Sequence, residues 1–246
     1  MTEIRIQVAE EVDRYLDAAV KNGLFTNKAE IARAALIQYM NSINLMSRNY
    51  DDELVFSPEG RIYQLEYARN AVSRGLTSVA VSCSDGVVVC CEKSATQSPM
   101  LLRADLKKIF LVGDKVLVAY SGMISDGNLV IEQLKNTKFS NNAQLIEAVN
   151  HIYRPYLYDR NRRPLGVGLL IASILEKPTA FYVDPSGGSA EFSAVAMGLG
   201  AEEATKVMEK NYKKMTVSRG EEFALEALGE ESRKTGSYEL KTLRIK

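Results

Sequence analysis

Apolar and polar residues alternate over residues 2–8, TEIRIQV, with Ile4, Ile6 and Val8 on one face and Glu3, Arg5 and Gln7 on the other. That is the pattern of a half-buried strand. From Glu10 the period lengthens: Val12, Tyr15, Leu16, Ala19 and Val20 fall at helical spacing, and Asn22-Gly23 stops the helix. Thr26 is placed to cap a second helix whose apolar stripe runs through Ala32, Leu36, Met40 and Ile43. Strand, helix, helix makes a complete unit, but a lone strand cannot satisfy its own backbone hydrogen bonds, so the unit calls for a partner chain. The polar stretch 47–53 marks a boundary, which predicts two domains, 1–46 and 47–246.

Beyond the Ser57-Pro58-Glu59-Gly60 turn, the pattern predicts a helix over 61–73 and two strands, 77–83 and 87–93, joined by Ser84-Asp85-Gly86. A second hairpin, 108–112 with 115–120, turns at Gly113-Asp114. Helices are predicted over 125–134 and 142–157, strands over 166–175, 180–184 and 192–197, helices over 201–213 and 218–232, and a last strand over 238–245. Antiparallel hairpins with helices grouped in pairs exclude a doubly wound parallel sheet and suit two stacked antiparallel sheets covered by helices.

Composition changes this picture little. The chain has 246 residues, 46% hydrophobic and 25% charged, with a formal net charge of zero, so no global field favours nucleic acid or an anionic membrane. Its three cysteines, Cys83, Cys90 and Cys91, are clustered in apolar runs and form no CxxC, which fits buried thiols in a reducing compartment. No apolar run reaches membrane-spanning length and no secretory h-region is visible, so a cytoplasmic location is expected. No His/Cys cluster has metal-ligand spacing and no glycine-rich loop resembles a phosphate cradle, so no cofactor is expected. His151, the single histidine, lies in a helical pattern as a packed or surface residue.

Residues 50–68, YDDELVFSPEGRIYQLEYA, resemble the N-terminal signature of proteasome α-type subunits. The likeness continues through RGLTSVAVSCSDGVVVCCEK, LKKIFLV, VAYSGMISD, RRPLGVGLLIAS, YVDPSGGSAEFSAVAMGLG and MEKNYK, and so spans roughly residues 50–246. It implies an α+β fold, a four-layer αββα sandwich of the N-terminal nucleophile hydrolase type. Residues 2–43 resemble a ribbon-helix-helix (β-α-α) module, whose strands pair between two chains.

Aligned on RGLTSVAV, the nucleophile of catalytic β-type subunits falls on Leu76, which has none; Glu92 and Lys108 occupy the places of the acidic residue and the lysine. Thr77 follows Leu76 rather than a processing glycine. The resemblance therefore implies no catalytic residue, and a protein that acts through assembly. It assigns the pore gate to Tyr50, Asp51, Pro58 and Tyr67, and the pocket that receives a regulator's C-terminal tail to Lys108, Glu66, Arg69, Gly75, Gly122 and Met123. The implied partners are further copies of the chain in a ring or stacked rings, proteasome β-subunits and an ATPase regulator. The chain departs from the family at Asp52, where arginine is usual; an anion there removes an ion pair between neighbouring subunits from the closed gate.

If the N-terminal module instead bound DNA, Glu3, Arg5 and Gln7 would face the major groove, and Thr26, Asn27 and Lys28 at a helix N-terminus would hold a phosphate. Five basic against six acidic residues over 1–46 is a poor balance for phosphate contact. Two readings stand at this point. One is a non-catalytic proteasome-type ring subunit whose N-terminal module pairs copies. The other is a ribbon-helix-helix transcription regulator that oligomerises through a proteasome-like domain. A hydrolase of the same superfold is a third, opposed by Leu76.

Overall fold

The computed structural model describes residues 5, 7–23, 25–42, 54–57, 59–93, 107–159 and 161–245, with the backbone alone at 41 and 42. The chain divides into two compact units, 1–53 and 54–246.

In the first unit, helices α1 (Glu10–Lys21) and α2 (Lys28–Ser42) form where the apolar spacing places them. Asn22 caps α1, and Gly23 at φ 72 ends it in the left-handed conformation that glycine adopts without strain. The start of α2 differs from expectation by one residue. The Asn27 side chain accepts from Glu30 N at 2.9 Å, so Asn27 rather than Thr26 is the cap. The Glu30 carboxylate reaches back to Thr26, accepting from its backbone N at 2.8 Å and from its hydroxyl. Most of the predicted strand 2–8 lies outside the described residues; Arg5 and Gln7–Ala9 are exposed and carry no strand pairing.

The second unit holds helix α3 (Tyr63–Ser73), then strands β1 (Ser78–Ser82), β2 (Gly86–Glu92), β3 (Ile109–Val112) and β4 (Val116–Gly122). Helices α4 (Ile124–Lys135) and α5 (Asn142–Tyr158) follow, and then β5 (Val167–Ser173), β6 (Thr179–Val183), β7 (Ser189–Phe192) and β8 (Ala194–Met197). Helices α6 (Ala201–Asn211), α7 (Val217–Leu228) and α8 (Glu230–Thr235) lead to β9 (Tyr238–Arg244).

The strands form two antiparallel sheets, ordered β8-β1-β2-β9 and β3-β4-β5-β6-β7. Alternation along the strands sorts their side chains into three apolar clusters. Val87, Val89 and Cys91 of one sheet meet Leu117, Leu170 and Ala172 of the other between the sheets. On the far face of the five-stranded sheet, Val118, Leu169 and Ile171 pack against Val130, Leu134, Leu145 and Tyr153 of α4 and α5. On the far face of the four-stranded sheet, Val79, Val81 and Cys90 pack against Met208 of α6 and Phe223 of α7. The result is a four-layer helix–sheet–sheet–helix sandwich, consistent with the N-terminal nucleophile hydrolase type. Cys83, Cys90 and Cys91 are all free and buried, and burial pushes the Cys91 thiol up to about 12.

Two predicted elements are each divided. The strand expected over 192–197 is broken at Ser193: β7 extends the five-stranded sheet beyond β6, whereas β8 crosses to the other sheet and pairs with β1. The helix expected over 218–232 is likewise divided, because Gly229 at φ 107 separates α7 from α8.

Candidate functional site

The position aligned with a catalytic nucleophile lies just before β1. Leu76 offers no nucleophilic atom there, and the neighbouring Thr77 is buried. Its hydroxyl accepts from Gly200 N at 3.1 Å, and its own amide N–H donates to Glu92 Oε2 at 3.2 Å. The other oxygen of Glu92 accepts from the Ser232 hydroxyl at 3.2 Å. The acidic residue is thus a structural clasp joining the start of β1, the end of β2 and helix α8. A general base needs a free lone pair aimed at a reacting proton; this carboxylate is directed at groups that hold the fold. His151 is exposed on α5, with Nε2 3.2 Å from Glu147.

Of the six residues assigned to tail docking, Glu66 and Arg69 lie on α3, and Gly75, Gly122 and Met123 lie where the end of α3 meets β4. Glu66 and Arg69 are one turn apart on α3, which leads into Gly75. A Cβ at Gly75 would lie 2.0 Å from Ser121 Oγ, and the Ser121 hydroxyl donates to Val72 O at 2.7 Å, stitching α3 to β4. Gly122 sits at φ 113, and a Cβ there would lie 2.1 Å from Gly166 O. Met123 N donates to that same oxygen at 2.8 Å. A Cβ at Gly75 is thus excluded by the Ser121 hydroxyl that ties α3 to β4, and one at Gly122 by the Gly166 backbone, which brings Gly75 close to Gly122 and Met123. Met123 itself is exposed. Lys108 reaches the same sheet end by a different route: β3 runs antiparallel to β4 with Ile109 opposite Ala119, so Lys108 enters β3 where β4 leads out into Ser121 and Gly122.

The charges of this group are not equivalent. Glu66 is held by the Arg61 guanidinium, with Nε at 2.7 Å from Oε1, and that bond keeps its pKa below the usual carboxylate range. Arg69 forks onto Asp184, with contacts of 2.8 and 3.2 Å. Asp184 is largely buried, which favours its neutral form, yet bonds from Arg69 and Ser186 hold its pKa below the ordinary value. Lys108 donates its backbone N–H to Glu239 Oε2 at 2.8 Å, whereas the Glu239 carboxylate is shared by Lys93 and Lys241. Among the described residues, no carboxylate lies within ion-pair distance of the Lys108 ammonium. Of the charged candidates, Lys108 thus keeps a cation that the described part of the fold has not neutralised.

Asp126 and Arg163 were not singled out by sequence reasoning, although the motifs VAYSGMISD and RRPLGVGLLIAS contain them. Asp126 is buried in the first turn of α4, and Arg163 grips it through both terminal nitrogens at 2.6 and 2.8 Å. Gly166 N donates to the same carboxylate at 2.8 Å. Burial alone would raise the Asp126 pKa; the Arg163 and Gly166 bonds outweigh it and lower the pKa. The pair fastens the segment before β5 to the start of α4, and so fixes Gly166 against Gly122 and Met123.

Of the gate residues, Tyr50, Asp51 and Pro58 lie outside the described residues, as does Asp52; Tyr67 is on α3 with its ring partly exposed. Of the residues considered for DNA, Glu3 lies outside them, while Arg5 and Gln7 are exposed. The phosphate place at the start of α2 is already filled by the Glu30 carboxylate on Thr26, and Lys28 reaches Asp13 and Asp17 at 2.8 Å each. Those two carboxylates raise the Lys28 pKa. Among the described residues, no group of His, Cys, Asp and Glu is arranged to hold a metal ion, and no helix is long and apolar enough to cross a membrane.

Comparison with known proteins adds independent findings. A family model described as proteasome subunit matches residues 72–242, and a second, described as the N-terminal signature of A-type proteasome subunits, matches residues 50–71. A proteasome alpha subunit of Methanococcus maripaludis is 38% identical over 185 residues, covering 71% of each chain. A proteasome alpha subunit of Methanocaldococcus jannaschii is 36% identical over 185 residues, covering 71% of this chain and 70% of that one. One from Archaeoglobus fulgidus is 33% identical over 182 residues, covering 70% and 73%.

Proposed function

The chain belongs to the proteasome subunit family, in its alpha branch, and from that membership we propose that it is a non-catalytic ring subunit that receives the C-terminal tail of a regulator at Lys108. Alpha subunits assemble into rings with other proteasome subunits and take part in protein degradation without performing the cleavage. The residues here suit that role. Leu76 stands at the nucleophile position, and Glu92 is committed to Thr77 and Ser232.

What supports the docking reading is that, among the described residues, no carboxylate pairs with the Lys108 ammonium, and that Lys108 enters β3 opposite the end of β4 that leads into Gly122 and Met123. A terminal carboxylate there gains a charge-assisted hydrogen bond, while Glu66 and Arg69, each already paired, shape the wall. On this reading the partners are further copies of the chain, proteasome β-subunits and an ATPase regulator, and Tyr50, Asp51, Pro58 and Tyr67 form the gate. The N-terminal unit, on the same reading, is a ribbon-helix-helix module that pairs copies of the chain. Binding of DNA by that unit gains no support from the relatives above, which are named as proteasome alpha subunits.

Titration with a peptide ending in a hydrophobic residue, tyrosine and one further residue tests the proposal. Lys108→Ala should weaken binding by about 1.5–3 kcal/mol and leave the assembled mass unchanged. Equal affinity of wild type and variant would make Lys108 an ordinary surface lysine. The chain alone should not turn over fluorogenic peptides; turnover abolished by a threonine-directed inhibitor would overturn the non-catalytic assignment.

A further inference from the structure

The connection between α6 and α7 carries charge of one sign. Residues 210–219, KNYKKMTVSR, hold Lys210, Lys213, Lys214 and Arg219 and no acidic residue. All four cations are exposed, and all four line one cleft of about 560 Å³. Their engagement differs. The Arg219 guanidinium is bonded to Glu222 and lies 3.4 Å from Glu226. Lys206, one turn before Lys210 on α6, is paired with Glu202 at 2.6 Å. Among the described residues, by contrast, no carboxylate pairs with Lys210, Lys213 or Lys214, so three ammonium groups line the cleft uncompensated.

The backbone that carries them is fixed. Met215 O accepts from Ser84 N at 2.8 Å and from the Ser84 hydroxyl at 3.2 Å. The Tyr212 hydroxyl donates to Ser82 O at 3.2 Å, and Val217 N donates to the Asp85 carboxylate at 2.7 Å. Lys213 and Lys214 sit between these anchors, on a connection tied to the end of β1 and the turn that follows it. Unpaired cations this close along a fixed chain repel one another unless a counter-charge is supplied. A ligand that supplies it meets a loop that needs little reordering.

The lining selects the class of ligand. The free donors are ammonium groups, which bind phosphate as point charges with rotating N–H bonds; the planar guanidinium fork that suits a carboxylate is already taken by Glu222 and Glu226. Among the described lining residues the one aromatic ring, Phe223, is 2% exposed and offers no face to a nucleobase. Glu203 and Glu209 on α6 and Glu222 on α7 are exposed, so a long polyanion running on along either helix would meet repulsion. The volume suits a small ligand, for which sites of about 300–1,000 Å³ are usual. We propose that this cleft binds a short chain of phosphates through Lys210, Lys213 and Lys214, at a site contained within one chain.

Calorimetric titration of the full chain with tripolyphosphate tests the proposal. One tripolyphosphate per chain should bind, and Lys210→Ala/Lys213→Ala/Lys214→Ala should weaken binding by roughly tenfold or more, the equivalent of one charge-assisted hydrogen bond. Thermal unfolding of this variant should match wild type, because the three side chains are exposed. A control that removes the same charge elsewhere, Lys138→Ala/Lys206→Ala/Lys234→Ala, should keep the wild-type affinity. Equal losses in the two variants would reduce the binding to a general counter-ion effect, and titration without saturation would make the strip a solvated surface; either result overturns the proposal. Tighter binding of a hexaglutamate peptide or of a nucleoside triphosphate than of tripolyphosphate would overturn the assignment to a phosphate chain.

Discussion

The two units of this chain use apolar residues in opposite ways. Residues 54–246 surround two sheets with helices, and valines such as Val79 and Val89 reach zero exposure. Among the described residues of 1–53, Val8, Val12, Tyr15 and Tyr39 are exposed, and the contacts between and within its helices include the Asn27 side chain on the Glu30 amide and the Asp13 and Asp17 carboxylates on Lys28. The difference shows what a chain length permits. Two stacked sheets create an interior with water excluded on every side; two short helices leave at least one face open. One unit encloses a core of its own; the described side chains of the other do not.

Making the same substitution in both units puts this contrast under the greatest strain. Val79→Lys places an ammonium in the cluster beneath α6 and α7, and should cost residues 54–246 about 4 kcal/mol or more, enough to unfold many domains. Val12→Lys should leave the melting transition of residues 54–246 within about 0.5 kcal/mol. Comparable losses in thermal unfolding would mean that the two units are not independent in stability.

A smaller effect is expected at the Asp126–Arg163 clasp, where it separates the units by pH. The folded-state pKa of Asp126 is lowered, so its stabilisation is fully present above the unfolded value of about 3.9. It is lost as pH falls through the lower folded value. Asp126→Asn should destabilise residues 54–246 at neutral pH by roughly 2 kcal/mol, discounted because Arg163 is half exposed. It should also flatten the acid limb of a stability–pH profile. An acid limb identical to wild type would show that other carboxylates govern it.

The smallest expected change belongs to the N-terminal unit. Asn27→Ala removes the α2 cap and should lower the stability of that helix by about 1 kcal/mol. Circular dichroism of the full chain should show the loss as reduced helicity at low temperature, with the main transition unmoved. An unchanged spectrum would return the capping role to Thr26.

Much of the fold is readable in the pattern alone because it follows from local periodicity. The β1–β2 hairpin turns at Ser84-Asp85 where Asp-Gly predicts it, and α5 begins at Asn142, as its spacing requires. The absence of a nucleophile is also a property of sequence, since Leu76 has no reactive atom in any conformation.

Other features exist only once the chain has folded. The alternation over 192–197 cannot reveal that the chain changes sheets at Ser193, because both sheets accept the same apolar period; the crossing depends on Ser82 N finding Ser193 O at 2.8 Å. Nor could the sequence distinguish Arg69 from Lys108 as cations, since the partner of Arg69 lies 115 residues away at Asp184. The one-residue shift from Thr26 to Asn27 turned on which side chain meets the Glu30 amide. Local pattern determines what a segment can be, because dihedral preference and side-chain period act over a few residues. Which charge stays free and which strand joins which sheet depend on groups that folding alone brings within a few ångströms.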